Sequence, residues 1–140
     1  MAFNEELHIS FSYEQKDCIY AQMPITEHVF QPFGFLHGGA TIALLEAAAS
    51  YGAELSCDLS CARPFGVEVC VSHVKSACAG TLHAEARLKS ERTSAYSGTI
   101  TQCWDVVARD DKGDVISEGE VTTKIVLLSY LAEKQKHQTS

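Results

Sequence analysis

The feature that most constrains the fold is a long apolar segment that follows a His-Gly-Gly sequence at residues 37–39. Between there and Glu54, only Glu46 carries a charge. The segment is rich in Ala, Leu and Ile, so we predict a helix over residues 40–55 that is apolar on nearly every side. The rest of the chain must cover such a helix, and a carboxylate in its middle must be protonated, paired or functional.

Alternating polar and apolar residues predict the strands that would cover this helix. They are residues 8–13, 18–23, 66–75, 81–89, 96–109 and 115–128, with a loop at 56–65 and a glycine turn at 110–114. One apolar helix with about six antiparallel strands predicts an α+β fold in which a single sheet wraps around the helix. For the polar tail at 129–140, a short helix and disorder are equally open.

The size and charge of the chain limit the kinds of protein that it can be. The 140 residues fit one domain, with the core at about residues 8–128. The formal net charge of −7 argues against a nucleic-acid partner, which would require a basic surface. Glu46 interrupts the longest apolar run, so we expect no membrane span. The first residues lack the pattern of a signal peptide, and we expect a cytoplasmic protein.

The cysteines give no sign of a metal site. They lie at positions 18, 57, 61, 70, 78 and 103, and no two of them form a Cys-x-x-Cys pair. A zinc site would need closer pairs with a matching second half. We therefore expect small buried thiols, no metal and no cofactor.

The residues around the helix start resemble a motif of the hotdog-fold acyl-CoA thioesterases that hydrolyse aryl-CoA substrates. The motif is QPFGxLHGGA at residues 31–40, followed by Glu46 nine residues after the histidine. Similar segments follow at residues 66–77 (GVEVxVxHVKSA), 111–113 (DKG) and 122–125 (TTxI), with Trp104 between them. The resemblance spans about residues 21–126. Its nearest branch is that of the 1,4-dihydroxy-2-naphthoyl-CoA hydrolases, beside the 4-hydroxybenzoyl-CoA and phenylacetate-pathway thioesterases.

The resemblance implies a hotdog fold that hydrolyses an aromatic or medium-chain acyl-CoA to the free acid and CoA, with CoA as part of the substrate. It implies that the Gly38 amide and the Gln31 side chain polarise the thioester carbonyl, since a helix N-terminus suits a developing oxyanion. Glu46 would be the nucleophile or the base that activates water. Ser50, one turn later, would position that carboxylate or the water, unless it only packs. His37 either hydrogen-bonds near the carbonyl or caps the turn.

The phosphates of CoA require basic or donor groups despite the negative net charge. The resemblance places the CoA contacts at Gly66, His73, Val74, Lys75, Ser76, Ser97, Gly98 and Thr99. Residues 89–97 form a longer segment than relatives often have, and Arg92 within it is a candidate phosphate ligand. The alternative for Lys75 and Gln31 is that they are ordinary surface residues without a role in binding or catalysis. Phe33, Phe35 and Tyr51 are the predicted lining of the acyl pocket.

The spacing within the helix predicts a composite site. Gly38 and Glu46 are eight residues apart, which separates them by about 12 Å along one helix. A single thioester carbon cannot reach both, so Gly38 of one subunit must act with Glu46 of another. Two helices would lie antiparallel about a two-fold axis with two sites per dimer, and a dimer of dimers is the expected assembly.

Other functions stay open at the level of sequence. One is a non-catalytic hotdog module that binds acyl-CoA without hydrolysing it, and another is a scaffold that kept the fold and lost activity. A hotdog hydratase would carry an Asp/His pair in a different motif, which we do not find.

Overall fold

The computed structural model describes residues 2–139, with the side chains of all of these except Glu14 and residues 134–139. The predicted α+β hotdog architecture is confirmed: one long helix lies against a six-stranded antiparallel sheet. The elements in chain order are α1 (Phe3–Glu6), β1 (Ser10–Gln15), β2 (Cys18–Pro24), a 3₁₀ turn (Glu27–Val29), α2 (Gly38–Leu55), β3 (Ala62–His73), β4 (Thr81–Thr93), β5 (Ile100–Arg109), β6 (Val115–Leu127) and α3 (Leu128–Thr139).

The strand order in the sheet is β1-β2-β4-β5-β6-β3, so β1 and β3 form its two edges. All five strand pairs are antiparallel. The helix α2 packs on one face of the sheet and contacts β2 through β6. Within the described chain β3 pairs only with β6, which leaves its other edge open along its length.

The core forms between α2 and the inner face of the sheet. Large side chains from both are completely buried, among them Leu44, Leu45, Leu82 and Trp104. A Cβ on Gly52 of α2 would overlap the indole ring of Trp104. The helix can therefore lie this close to β5 only with a glycine at this position.

Two predicted boundaries around α2 were wrong. The helix begins at Gly38 rather than residue 40, because His37 caps it. The strand β3 begins at Ala62, so the predicted loop at 56–65 was too long. The predicted loop contained Pro64, but β3 is an edge strand, where alternate backbone N–H groups face away from the sheet and a proline is tolerated.

The predicted long segment at 89–97 was also wrong in part. β4 continues to Thr93, and only residues 94–99 connect it to β5, which begins at Ile100 rather than residue 96. The pairing of β4 with β5 shifts register between Leu88 and Ser90. Such a shift interrupts the two-residue alternation that sequence patterns rely on.

A helix lies near each end of the described chain. The short helix α1 was not predicted. For the tail, where the sequence left a short helix and disorder open, the structure shows the helix α3. No helix in the described residues is both long and apolar enough to cross a membrane.

Candidate active site along helix α2

His37 closes the N-terminus of α2. Its backbone is extended, and its Nδ1 accepts a hydrogen bond from the Gly39 N–H at 2.8 Å. The capping interpretation is therefore confirmed. The N–H of Gly38, at the first position of the helix, has no hydrogen-bond partner in the described part of the chain. This free donor lies where the positive end of the helix dipole is concentrated.

The loop before the helix holds Gln31 beside Gly38. The Gln31 N–H donates to the Phe35 carbonyl at 2.8 Å, and its side-chain Oε1 accepts from the Phe33 N–H. Gly34 has a φ of 88°, which a glycine adopts without strain and which lets the turn close. Because Oε1 is used within the loop, the side-chain NH₂ of Gln31 is the end that is left to donate.

A cavity of about 450 Å³ lies at this end of the helix. It brings together the predicted residues Gln31, Gly38, His73, Val74, Lys75 and Ser76, with Leu36, Thr41, Ala77 and Ile116 completing the wall. We call it the donor cavity. Neither Glu46 nor Ser50 lines it.

Glu46 lies farther along α2, over a different part of β3. A Cβ on Gly66 would come within 2.9 Å of the Glu46 Cδ, so the carboxylate rests directly on the Gly66 backbone. The register of β3 with β6 shifts between Gly66 and Glu68, at the same place. The carboxylate is half-buried, and it has no hydrogen bond or ion pair within the described part of the chain. Gly66, expected among the CoA contacts, thus makes room for the acid.

The structure therefore holds two half-sites rather than one complete site. Gly38 faces His73 near the end of β3, whereas Glu46 faces Gly66 near its start. The helix between them is continuous, so about 12 Å of axis separates the two residues. Ser50 is half-buried one turn beyond Glu46, on the side of the acid.

The three predicted acyl-pocket aromatics do not meet within one chain. Phe33 and Phe35 lie in the loop before α2, with 84% and 46% of their surface exposed. Tyr51 stacks on Phe11 of β1, with ring centroids 4.7 Å apart, and lies close to Tyr13. The structure thus places two aromatics at the donor end and one at the acid end of the helix.

Lys75 has partners that the sequence analysis missed. Its Nζ lies 2.7 Å from an Asp114 carboxylate oxygen and 3.1 Å from one of Asp110. These hydrogen bonds, that to Asp114 foremost, raise the pKa of the Lys75 ammonium. The acid-rich sequence DDKGD at residues 110–114 was the available signal, because it forms the turn that faces the end of β3.

A second cavity, of about 610 Å³, lies between the β4–β5 connection, β6 and α3. Arg92, Thr101 and Lys124 lie side by side across three strands and contribute to its wall. No carboxylate pairs with either base in the part of the chain whose side chains are described. Ser97 and Thr99 also line the cavity, and Gly98 lies between them with a φ of 72°. The sequence analysis missed Thr101 and Lys124.

Comparisons with known proteins agree with this architecture. A family model described as "Thioesterase superfamily" matches residues 33–117. The chain is 32% identical to the 1,4-dihydroxy-2-naphthoyl-CoA hydrolase of Escherichia coli (strain K12), over 86% of this chain and 83% of that protein. It is 40% identical to the putative esterase ComA2 of Bacillus subtilis (strain 168), over 76% and 79% respectively.

Solved structures match equally well. A mutant of the hypothetical protein SAV0944 from Staphylococcus aureus superposes with a TM-score of 0.82 at 33% identity, covering 91% of this chain and all of that one (100%). A mutant of the thioesterase PA1618 from Pseudomonas aeruginosa superposes with a TM-score of 0.80 at 28% identity, covering 91% and 87%. The resemblance expected from the sequence is thus confirmed.

Proposed function

The chain belongs to the thioesterase superfamily and is a thioester hydrolase that acts on acyl-CoA, and from that premise we propose that it hydrolyses an aromatic acyl-CoA with Glu46. The observation that carries this proposal is the pair of unpartnered groups on α2: the free Gly38 N–H and the half-buried Glu46 carboxylate. Neither group is fully buried and neither is bonded within the described chain, so a substrate can take the place of water as the partner of each. The similarity to 1,4-dihydroxy-2-naphthoyl-CoA hydrolases favours an aromatic acyl group.

The chemistry assigns one role to each half-site. The Gly38 N–H and the Gln31 amide donate to the thioester oxygen and stabilise the charge that develops there. Glu46 either attacks the carbonyl carbon itself or accepts a proton from a water that attacks it. The C–S bond then breaks, and the CoA thiolate leaves and takes up a proton. Where Glu46 is the nucleophile, water then hydrolyses the acyl-Glu46 anhydride, which releases the free acid and restores the carboxylate. His37 and Ser50 support the donor end and the acid, respectively.

The open edge of β3 supports a dimer in which the two half-sites complete each other. Its side chains include Phe65 and Val67, which are 45% and 50% exposed. If two β3 edges pair antiparallel with the two-fold axis between Val69 and Cys70, Gly66 of one subunit lies opposite His73 of the partner subunit. That pairing brings the acid of each subunit to the donor cavity of the other.

The remaining contacts follow from this arrangement. The acyl group would lie between Phe33 and Phe35 at the donor end and Tyr51 at the acid end. The CoA chain would pass along residues 73–76, and its phosphates would bind the basic cavity at Arg92 of the partner subunit, because Lys124 pairs with Phe65 at the acid end of β3. Ser97, Gly98, Thr99 and Lys124 complete that set. Arg92 and Lys124 have no acid partner among the described side chains, so both are available to phosphate oxygens.

We also propose the cellular and molecular setting. The enzyme acts in the cytoplasm, as a dimer of dimers, with acyl-CoA as its partner and with neither nucleic acid nor membrane. It uses no metal and no cofactor, since the CoA belongs to the substrate.

A panel assay tests the proposal. Purified protein is incubated with aromatic and aliphatic acyl-CoAs, and release of the free CoA thiol is followed. We expect fastest turnover with an aromatic acyl group, and Glu46→Gln should lower kcat by about 10³-fold, as loss of a catalytic base or nucleophile does. Glu54→Gln, which changes an exposed acid two turns later on the same helix, is the matched control and should keep its rate.

Two results would contradict the proposal. Full activity of Glu46→Gln would remove the acid from the mechanism. Tight binding of acyl-CoA by the unaltered protein without any thiol release would favour the non-catalytic binding module instead.

Mixed dimers test the composite site separately. Glu46→Ala is mixed with the double variant Gln31→Ala/Gly38→Ala after dissociation, so that half of the dimers contain both chains. Each mixed dimer then has one intact site if the half-sites come from different subunits, and about a quarter of the unaltered activity should return. A site built within one chain would give no recovery.

A further inference from the structure

His73 and Ser117 face each other across the two strands at the border of the donor cavity. They are paired residues in the register of β3 with β6. His73 Nδ1 lies 2.6 Å from the Ser117 hydroxyl oxygen. Ser117 is completely buried, whereas the His73 ring is exposed and lines the cavity. One edge of the imidazole is thus held by the protein interior.

The opposite edge of the ring points at the start of α2. A Cβ on Gly38 would lie 2.7 Å from His73 Nε2 and 3.2 Å from each of the two neighbouring ring carbons. Nε2 is therefore the ring atom nearest to the helix N-terminus. The side chain spans the distance from a buried hydroxyl to the place where the thioester carbonyl is proposed to bind.

The hydrogen bond decides which nitrogen carries the proton. A neutral imidazole has one donor and one acceptor nitrogen, and its partner selects between the two forms. The buried Ser117 hydroxyl must donate to something, because an unsatisfied buried O–H is costly. His73 Nδ1 is the acceptor that the structure places beside it. Donation from the hydroxyl to Nδ1 requires the ring hydrogen to lie on Nε2.

We propose that Ser117 is a positioning residue: it holds His73 with an Nε2–H directed at Gly38, so that the thioester oxygen receives a donor from His73 beside the Gly38 N–H. The inference rests on the proposed function and assigns a specific role to His73, which the resemblance placed only among the CoA contacts. The backbone after His73 is held independently, since the Val74 N–H donates to the Ile116 carbonyl at 2.7 Å. The Ser117 hydroxyl therefore fixes the orientation of the His73 ring, and the backbone of β3 does not depend on it.

The test compares Ser117→Ala with Ser117→Thr, which keeps the hydroxyl. We expect Ser117→Ala to lower kcat about tenfold with little change in KM, because one preorganised donor is lost from the transition state. The nitrogen-15 NMR spectrum of the His73 ring should change from the single Nε2–H form to a mixture of forms. Ser117→Thr should recover most of kcat and the Nε2–H signature.

Thr123→Val is the matched control, because it removes another completely buried hydroxyl of β6, one that accepts from the Trp104 indole at 3.0 Å. It should lower stability and leave both kcat and the His73 spectrum unchanged. An active Ser117→Ala with unaltered kcat, or an unaltered His73 spectrum, would overturn the inference. Failure of the proposed function is distinguishable, since the unaltered protein would then release no thiol.

Discussion

The two halves of α2 each place a glycine against a flat ring, but the surroundings of the two rings differ. Near the end of the helix, Gly52 lies against Trp104, which is completely buried. At the start of the helix, Gly38 lies against His73, whose ring is exposed and borders the donor cavity. The same close approach thus lies within the core in one half and borders a candidate ligand cavity in the other.

The polar groups of the two halves differ in the same way. Around Trp104 they are paired: its indole N–H donates to Thr123, and the Gln102 side chain bonds both Thr123 and Glu91. In the first half, the Gly38 N–H and the Glu46 carboxylate have no partner among the described residues. The polar groups of the second half are therefore satisfied within the protein, whereas the two unpartnered groups of the first half are available to a ligand.

The largest expected effect is at the start of the helix. Gly38→Ala would place a methyl group against the His73 ring and over the proposed carbonyl site. We expect kcat to fall about 10²-fold, as it does when an oxyanion donor is blocked. Thermal unfolding should change little, because the ring is exposed and can turn aside at the cost of its one hydrogen bond to Ser117. A large fall in melting temperature with the rate per folded molecule preserved would make Gly38 a structural residue like Gly52.

The reciprocal change is Gly52→Ala. A methyl group there overlaps the indole of Trp104, which is enclosed on all sides, so we expect a loss of about 2 kcal/mol in the free energy of unfolding. Chemical denaturation measures this loss, and kcat of the folded fraction should stay within about twofold of its original value. If activity falls as steeply as in Gly38→Ala, the two halves of the helix are not separable.

The smallest effect concerns the ion pairs beside the donor cavity. Hydrogen bonding to Asp114 and Asp110 raises the pKa of Lys75 in the folded protein. The associated stability is therefore complete below the unfolded pKa of about 10.4 and is lost as the pH rises through the folded value. Lys75→Gln should lower the melting temperature slightly at pH 8, and the difference should vanish in strongly alkaline buffer. A difference that persists there would mean that Lys75 acts by packing.

These comparisons also show where sequence reasoning was sufficient. The long helix, the strand count and the separation of Gly38 from Glu46 all follow from local periodicity and from the helical rise per residue. The predictions failed at Pro64 and at the register shift after Leu88, where the position in the sheet matters more than the local pattern.

Within the candidate site, the contacts that the sequence analysis missed join residues far apart in the chain. Ser117 lies 44 positions from His73, and Asp114 lies 39 positions from Lys75. Lys124 and Arg92 line one cavity because their strands both pair with β5 at Thr101. No spacing rule connects such residues, because strand register brings them together.

The sequence by itself determined the residue types and their order along one helix: a free amide at Gly38, an acid at Glu46, and a distance between them that a single substrate carbon cannot bridge. The tertiary structure decided what each of them meets. In the folded chain Glu46 contacts Gly66, and Gly38 contacts His73. Between these two contacts, the outer edge of β3 has no paired strand among the described residues. The physical reason is that helical rise is a local property of the backbone, whereas the neighbours of a side chain depend on how distant strands pair.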